Sequence, residues 1–109
     1  MKISKETESK IIDLQTMEQN LQNLLMQKQA FQFESNETEN AIDEVSKSKD
    51  EVFKIVGSIM IKTDNEKILK ELKHKSEHLS IRFKSIEKQE SELTKRIEEL
   101  RDEVMKKIK

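Results

Sequence analysis

Val52-Phe53-Lys54-Ile55-Val56-Gly57-Ser58-Ile59-Met60-Ile61-Lys62 is the stretch on which the fold of this chain turns. Two short runs rich in β-branched and large apolar residues flank Gly57, the single glycine among 109 residues. Such residues favour a pleated, half-buried strand. Gly57-Ser58 between them suits a two-residue hairpin turn, whose first central position needs a positive φ. Directly afterwards, Thr63-Asp64-Asn65-Glu66 has the spacing of a capping box that opens a helix. The stretch therefore predicts a β-hairpin over about 52–62 with a helix leaving it.

Outward from the hairpin, both flanks carry heptads. On the amino-terminal side one track is Leu14, Leu21, Lys28, Ser35, Ile42 and the other Met17, Leu24, Phe31, Thr38, Val45, seven of ten apolar. On the carboxyl-terminal side Leu69, Ser76, Phe83, Glu90, Ile97, Val104 alternate with Leu72, Leu79, Ile86, Leu93, Leu100, nine of eleven apolar. A mean spacing of 3.5 residues marks a coiled-coil seam, and a disordered chain would not hold its phase so long. The predicted fold is all-α dominated: a long antiparallel two-helix coiled coil with a single β-hairpin between the helices. Residues 1–109 read as one domain, with helices over about 5–49 and 65–108. Each helix would run about 65 Å at 1.5 Å per residue. Helices of equal length fold back with both termini at the end away from the hairpin.

The exceptions in the seam predict its register. Facing residues of an antiparallel pair have a constant sum of numbers, and 117–118 sets Phe31 opposite Ile86 and Leu24 opposite Leu93. Lys28 then meets Glu90, small Ser35 meets Phe83, and Ile42 meets small Ser76. A slip of one heptad would leave Lys28 and Glu90 without each other, which is less stable than pairing them.

Composition agrees with this architecture. Charged residues make up 39% and apolar ones 33%, with no Pro, Trp or Tyr and four Phe. Near absence of Gly and Pro argues for few turns, and so little apolar material argues against a compact globular core. The net charge is −1 with signs interspersed, which offers no electrostatic footprint for nucleic acid. No apolar run approaches the roughly 20 residues needed to span a membrane. The start, Met1-Lys2-Ile3-Ser4-Lys5-Glu6, lacks a signal-peptide core, so a cytoplasmic location is expected. Without cysteine there are no disulfides or thiolate sites.

A hairpin of two short strands is not stable alone in water. Val52, Phe53, Ile55, Val56, Gly57, Ile59, Met60 and Ile61 form more apolar surface and unpaired edge than a turn requires, and are read as an oligomerisation site. The alternative is a hairpin folded back on the helix ends of a monomer.

Here the chain resembles a known family. V-F-K-x-x-G-x-I-M-I-K between two equal heptad helices is similar to the hairpin of prefoldin β-type subunits. Gln27-Lys28-Gln29 and Glu87-Lys88-Gln89-Glu90 resemble archaeal members. The resemblance implies an α2β4 hexamer with an α-type prefoldin subunit, whose hairpins join into β-barrels and whose six coiled coils surround a cavity. It also implies an ATP-independent holdase that captures non-native client proteins at the coiled-coil tips and delivers them to a group II chaperonin. A second reading is a tethering coiled coil that its hairpin oligomerises. A tether would carry polar tips with one anchor, a holdase scattered apolar groups.

Scattered apolar groups are what the termini carry. The first eight or so residues are expected to overhang the partner helix, leaving Ile3 without a seam. Ile11, Ile12, Met105 and Ile108 lie near the tip off the main tracks, and fraying there would expose Leu14 and Val104. Ile12, Met26 and Phe33 share one outward heptad position, with Leu25 beside them. A stripe of this kind usually means packing, but the seam points the other way, so packing would need a third helix. These nine residues, Leu25 apart, are the client-binding candidates. His74 and His78, four apart, have metal-ligand spacing but outward positions and no third ligand, so a solvated face is the simpler reading. No catalytic set, cofactor site or metal site is expected, and enzymatic activity is not.

Overall fold

The computed structural model describes residues 3–108. Its elements are α1 (Lys5–Lys47), β1 (Val52–Val56), β2 (Ile59–Thr63) and α2 (Asn65–Ile108). Two long helices separated by one antiparallel hairpin are the fold class that the heptads and Gly57 predicted. The chain packs as two compact units. One, called here the hairpin unit, is Ala30–Phe83; the other, the terminal unit, holds the residues up to Gln29 and those from Lys84 onward.

In the hairpin unit, Val52 pairs with Thr63, Phe53 with Lys62, Lys54 with Ile61, Ile55 with Met60 and Val56 with Ile59. This register leaves Gly57-Ser58 as the two-residue turn. Gly57 has φ of 63°, and no other described residue has a positive φ. Positive φ at the first central residue alone is the signature of a type II′ turn, whose twist matches that of the strands.

The helix ends nearest the hairpin are held by side-chain caps. α1 stops at Lys47, two residues short of the expected boundary. The Ser48 amide still donates to the Glu44 carbonyl at 3.0 Å, but its Oγ accepts from the Asp50 amide at 3.2 Å and draws the chain out of the helix. The Ser48 carbonyl, freed by that exit, accepts from Asn65 Nδ2 at 3.2 Å and ties the start of α2 to the end of α1. α2 is capped by Asp64, not by Thr63 as the capping-box reading had it. Asp64 Oδ1 accepts from the Glu66 amide at 3.4 Å, and its carbonyl accepts from the Ile68 amide at 2.9 Å. Inside this unit Ile68, Leu79 and Thr38 are buried, and the Thr38 hydroxyl is satisfied by the Glu34 carbonyl at 2.8 Å. Arg82 lies 4.9 Å from the centre of the Phe31 ring, and Lys75 pairs with Glu34 at 3.3 Å.

The terminal unit is built on Ile86, Ile97 and Val104, all buried on α2. Ser4 caps α1, its Oγ accepting from the Thr7 amide at 3.1 Å and sharing a 2.9 Å hydrogen bond with the Thr7 hydroxyl. Thr7 stands one heptad before Leu14 and is buried, so the seam begins earlier than the sequence suggested. Lys28 Nζ donates to Glu90 Oε2 at 3.1 Å, the pair on which the expected register rested. Arg101 reaches Glu18 at 3.0 Å, and Lys10 reaches Glu103. All three pairs join α1 to α2 within the unit.

Candidate functional site

Alternation along the strands gives the hairpin two faces. Val52, Lys54 and Val56 share one with Ile59, Ile61 and Thr63; Phe53 and Ile55 share the other with Met60 and Lys62. On the first face Val52, Lys54 and Thr63 are half-buried, and Lys54 pairs with Glu71 of α2 at 3.5 Å, so the open end of the hairpin leans on that helix. The rest is uncovered. Ile55 is 72% exposed, Met60 66% and Ile59 62%, and Phe53, Val56 and Ile61 are exposed too. Each strand is hydrogen-bonded to its neighbour on one side only, so two edges of peptide donors and acceptors stay open. Of the oligomerisation candidates only Val52 is sheltered. The hairpin does not fold back over the helix ends: the ion pair that ties it to α2 is Lys54–Glu71, and its apolar residues from Phe53 to Ile61 stay exposed.

The client candidates divide. In the terminal unit Ile3, Ile12, Met26 and Met105 are exposed, while Ile11, Leu14 and Ile108 are half-buried. Val104 is 5% exposed and belongs to the seam, which corrects the expectation that fraying presents it. The expected overhang of about eight residues is likewise corrected: Thr7 is buried and Lys10 is bound to Glu103. In the hairpin unit Phe33 is 65% exposed. Ile81, at 67%, is an outward residue of α2 that sequence reasoning passed over, although its place two residues after Leu79 and two before Phe83 marks it as off the seam.

Charge near the termini is locally organised. The hydrogen bond from Lys10 holds the Glu103 carboxyl below the usual carboxylate range, and the same bond raises Lys10 above the usual lysine value. Among the described residues no three His, Asp or Glu side chains are grouped to hold a metal ion. His74 and His78 share an open groove with Phe31 and Glu34, and Glu34 is engaged by Lys75. No helix among the described residues is long and apolar enough to cross a membrane.

Paired antiparallel helices that carry an uncovered hairpin and exposed aliphatic groups define a class: a subunit that works through its surfaces. The comparisons with known proteins place it further. The family model described as "Prefoldin subunit" matches residues 8–109. The prefoldin subunit beta of Pyrococcus furiosus is 37% identical over 84% of this chain and 80% of its own length. That of Methanosarcina acetivorans is 35% identical over 89% of this chain and 85% of its own. The crystal structure of the prefoldin beta subunit from Thermococcus strain KS-1 superposes with a TM-score of 0.86 at 32% identity, over 96% of this chain and 94% of that one. The chain belongs to the prefoldin family, and the relatives it resembles are β subunits.

Proposed function

We propose that this chain is the β-type subunit of a cytoplasmic, ATP-independent holdase, an α2β4 hexamer assembled with an α-type prefoldin subunit through the hairpins. The observation that carries this reading is the hairpin surface, whose six exposed apolar residues lie on strands with open edges. Full burial of each such side chain contributes about 1.5–3 kcal/mol, and edge pairing satisfies the open peptide groups. A related hairpin supplies both at once. Unfolded clients then bind the exposed apolar groups of the terminal unit, Ile3, Ile12, Met26 and Met105, with Ile11, Leu14 and Ile108 as partly sheltered neighbours. Several weak contacts on several copies add up to useful avidity without any one being strong. Release to a group II chaperonin completes the cycle, and no covalent step or cofactor is required.

The test is suppression of aggregation of a chemically denatured model protein, by this chain mixed with an α-type partner and without ATP. Protection that rises with hexamer concentration supports the reading. Failure of the assembled complex to protect, together with tight binding of one folded partner, would establish the tether in its place.

A further inference from the structure

Between Leu14 and Gln29, α1 carries only two charged residues, Glu18 and Lys28. Both are turned to α2, Glu18 to Arg101 at 3.0 Å and Lys28 to Glu90 at 3.1 Å. What this stretch presents outward is therefore uncharged. Every Gln and Asn in it, seven in all, is exposed. In the same unit an open groove of about 430 Å³ runs between the helices, with half-buried Leu24 and Leu93 as its floor. Asn20, Asn23 and Gln27 form one wall, and Gln89, Glu92 and Arg96 the other. Among the described residues the side chains of Asn20, Asn23 and Gln27 have no protein hydrogen-bond partner, so six donor and acceptor groups are held only by solvent at the groove and are open to a ligand.

We propose that this groove binds a stretch of extended, unfolded polypeptide through its main chain. The inference rests on the holdase reading and specifies what one of its client sites recognises. An amide wall offers paired donors and acceptors with no net charge, which complements a peptide backbone and discriminates against neither acidic nor basic clients. The Leu24–Leu93 floor accepts one apolar client side chain. A helix would make poor use of the wall, because its own peptide groups are bonded internally; an extended chain has them free. The single carboxylate and guanidinium of Glu92 and Arg96 lie at one side and leave the wall of α1 neutral.

The experiment measures binding of a fluorescent 20-residue peptide without charged side chains to the full chain assembled with an α-type partner. A second peptide of the same sequence is N-methylated at alternate residues, which removes half its main-chain donors. The triple variant Asn20→Ala, Asn23→Ala, Gln27→Ala is expected to keep its helix content, alanine being the best helix former, and to bind the first peptide roughly tenfold more weakly. N-methylation should weaken binding to the unmutated protein by a similar factor and to the triple variant hardly at all. Independently, the side-chain NH2 resonances of Asn20, Asn23 and Gln27 in the unmutated chain should shift on peptide addition. Equal affinity of the variant, or equal binding of the methylated peptide, overturns the groove as a main-chain site. If the variant still protects denatured protein while Ile12→Ser with Met105→Ser does not, the groove fails and the holdase reading stands; if even the unmutated complex binds no client, both fall.

Discussion

Gly57 has a φ of 63°, and a Cβ built there would meet nothing within 4 Å. Backbone strain alone therefore opposes substitution, and Gly57→Ala is expected to cost about 1–3 kcal/mol. Gly57→Asn should cost less, since Asn is, with Gly and Asp, a residue these primed hairpin turns accept. Thermal unfolding of the two variants checks the order. Lys28 and Glu90 offer a second test at this scale. Their side chains are 30% and 26% exposed, so water screens the pair and its net contribution is at most about 1 kcal/mol. Reversing one charge does more harm than removing it, because two like charges then meet at the seam. Lys28→Glu or Glu90→Lys alone should lower the midpoint of unfolding by several degrees, and the double swap should recover most of it. Failure of the swap to rescue would mean the register is held by the apolar layers alone. For Lys10 and Glu103 the shifts set the pH dependence. Glu103, held low, contributes stability above the ordinary carboxylate range and loses it as pH falls through its lowered value. Lys10, held high, contributes below the ordinary lysine value and loses it as pH rises through its raised one. Protection factors of amides near the termini, taken relative to intrinsic exchange at each pH, should thus fall at the acid and the alkaline extremes, and less so in high salt.

At the scale of elements, the heptads and the hairpin were legible because each is a local pattern: a period of 3.5, or two apolar runs around one glycine. Their ends were less legible. Whether Thr63 or Asp64 caps α2 depends on which backbone leaves the strand, and Ser48 ends α1 through a turn that its own side chain makes. Ser4→Ala should lose about 1 kcal/mol by removing the Thr7 cap, read as faster exchange in the first turn of α1. The hairpin supports a sharper expectation. Ile55 and Met60 are cross-strand partners on the face opposite the Lys54–Glu71 contact and are largely exposed. Ile55→Lys with Met60→Lys should therefore leave helix content and melting of the isolated chain nearly unchanged. Light scattering after mixing with an α-type partner should show the assembled mass lost. Assembly undiminished by two lysines would remove the hairpin face from the interface.

For the whole molecule, function rests on apolar groups being sorted into buried and offered sets. Leu79→Ala, in the core of the hairpin unit, is expected to cost about 2–4 kcal/mol, and Ile97→Ala in the terminal unit a similar amount. Met26→Ser and Ile12→Ser should leave the midpoint of unfolding within a degree or two and reduce protection of a denatured client. Aggregation assays at matched hexamer concentration separate the two effects. The candidate sites were only partly readable at this scale. The heptad frame correctly set Ile12, Met26 and Phe33 on outward positions, and it would have found Ile81 had the same rule been applied to α2. The expectation of an overhang and of fraying ends misjudged Thr7 and Val104, although the heptad frame itself had set Val104 in the seam; exposure near a helix end depends on how far the two helices run together, which no local pattern records.

The sequence by itself determined that two helices would flank one hairpin, where the turn would fall, and which charged residues would meet inside the seam. Period, glycine and volume are properties of neighbouring residues, and they survive without coordinates. Tertiary structure decided the rest. Glu18 meets Arg101 across 83 positions and Lys10 meets Glu103 across 93. The first of these encounters, together with Lys28–Glu90, leaves residues 14–29 of α1 with no charge turned outward. Only the folded pair could show that its amides border an apolar-floored groove and that the hairpin stands uncovered, because burial is a property of what lies opposite.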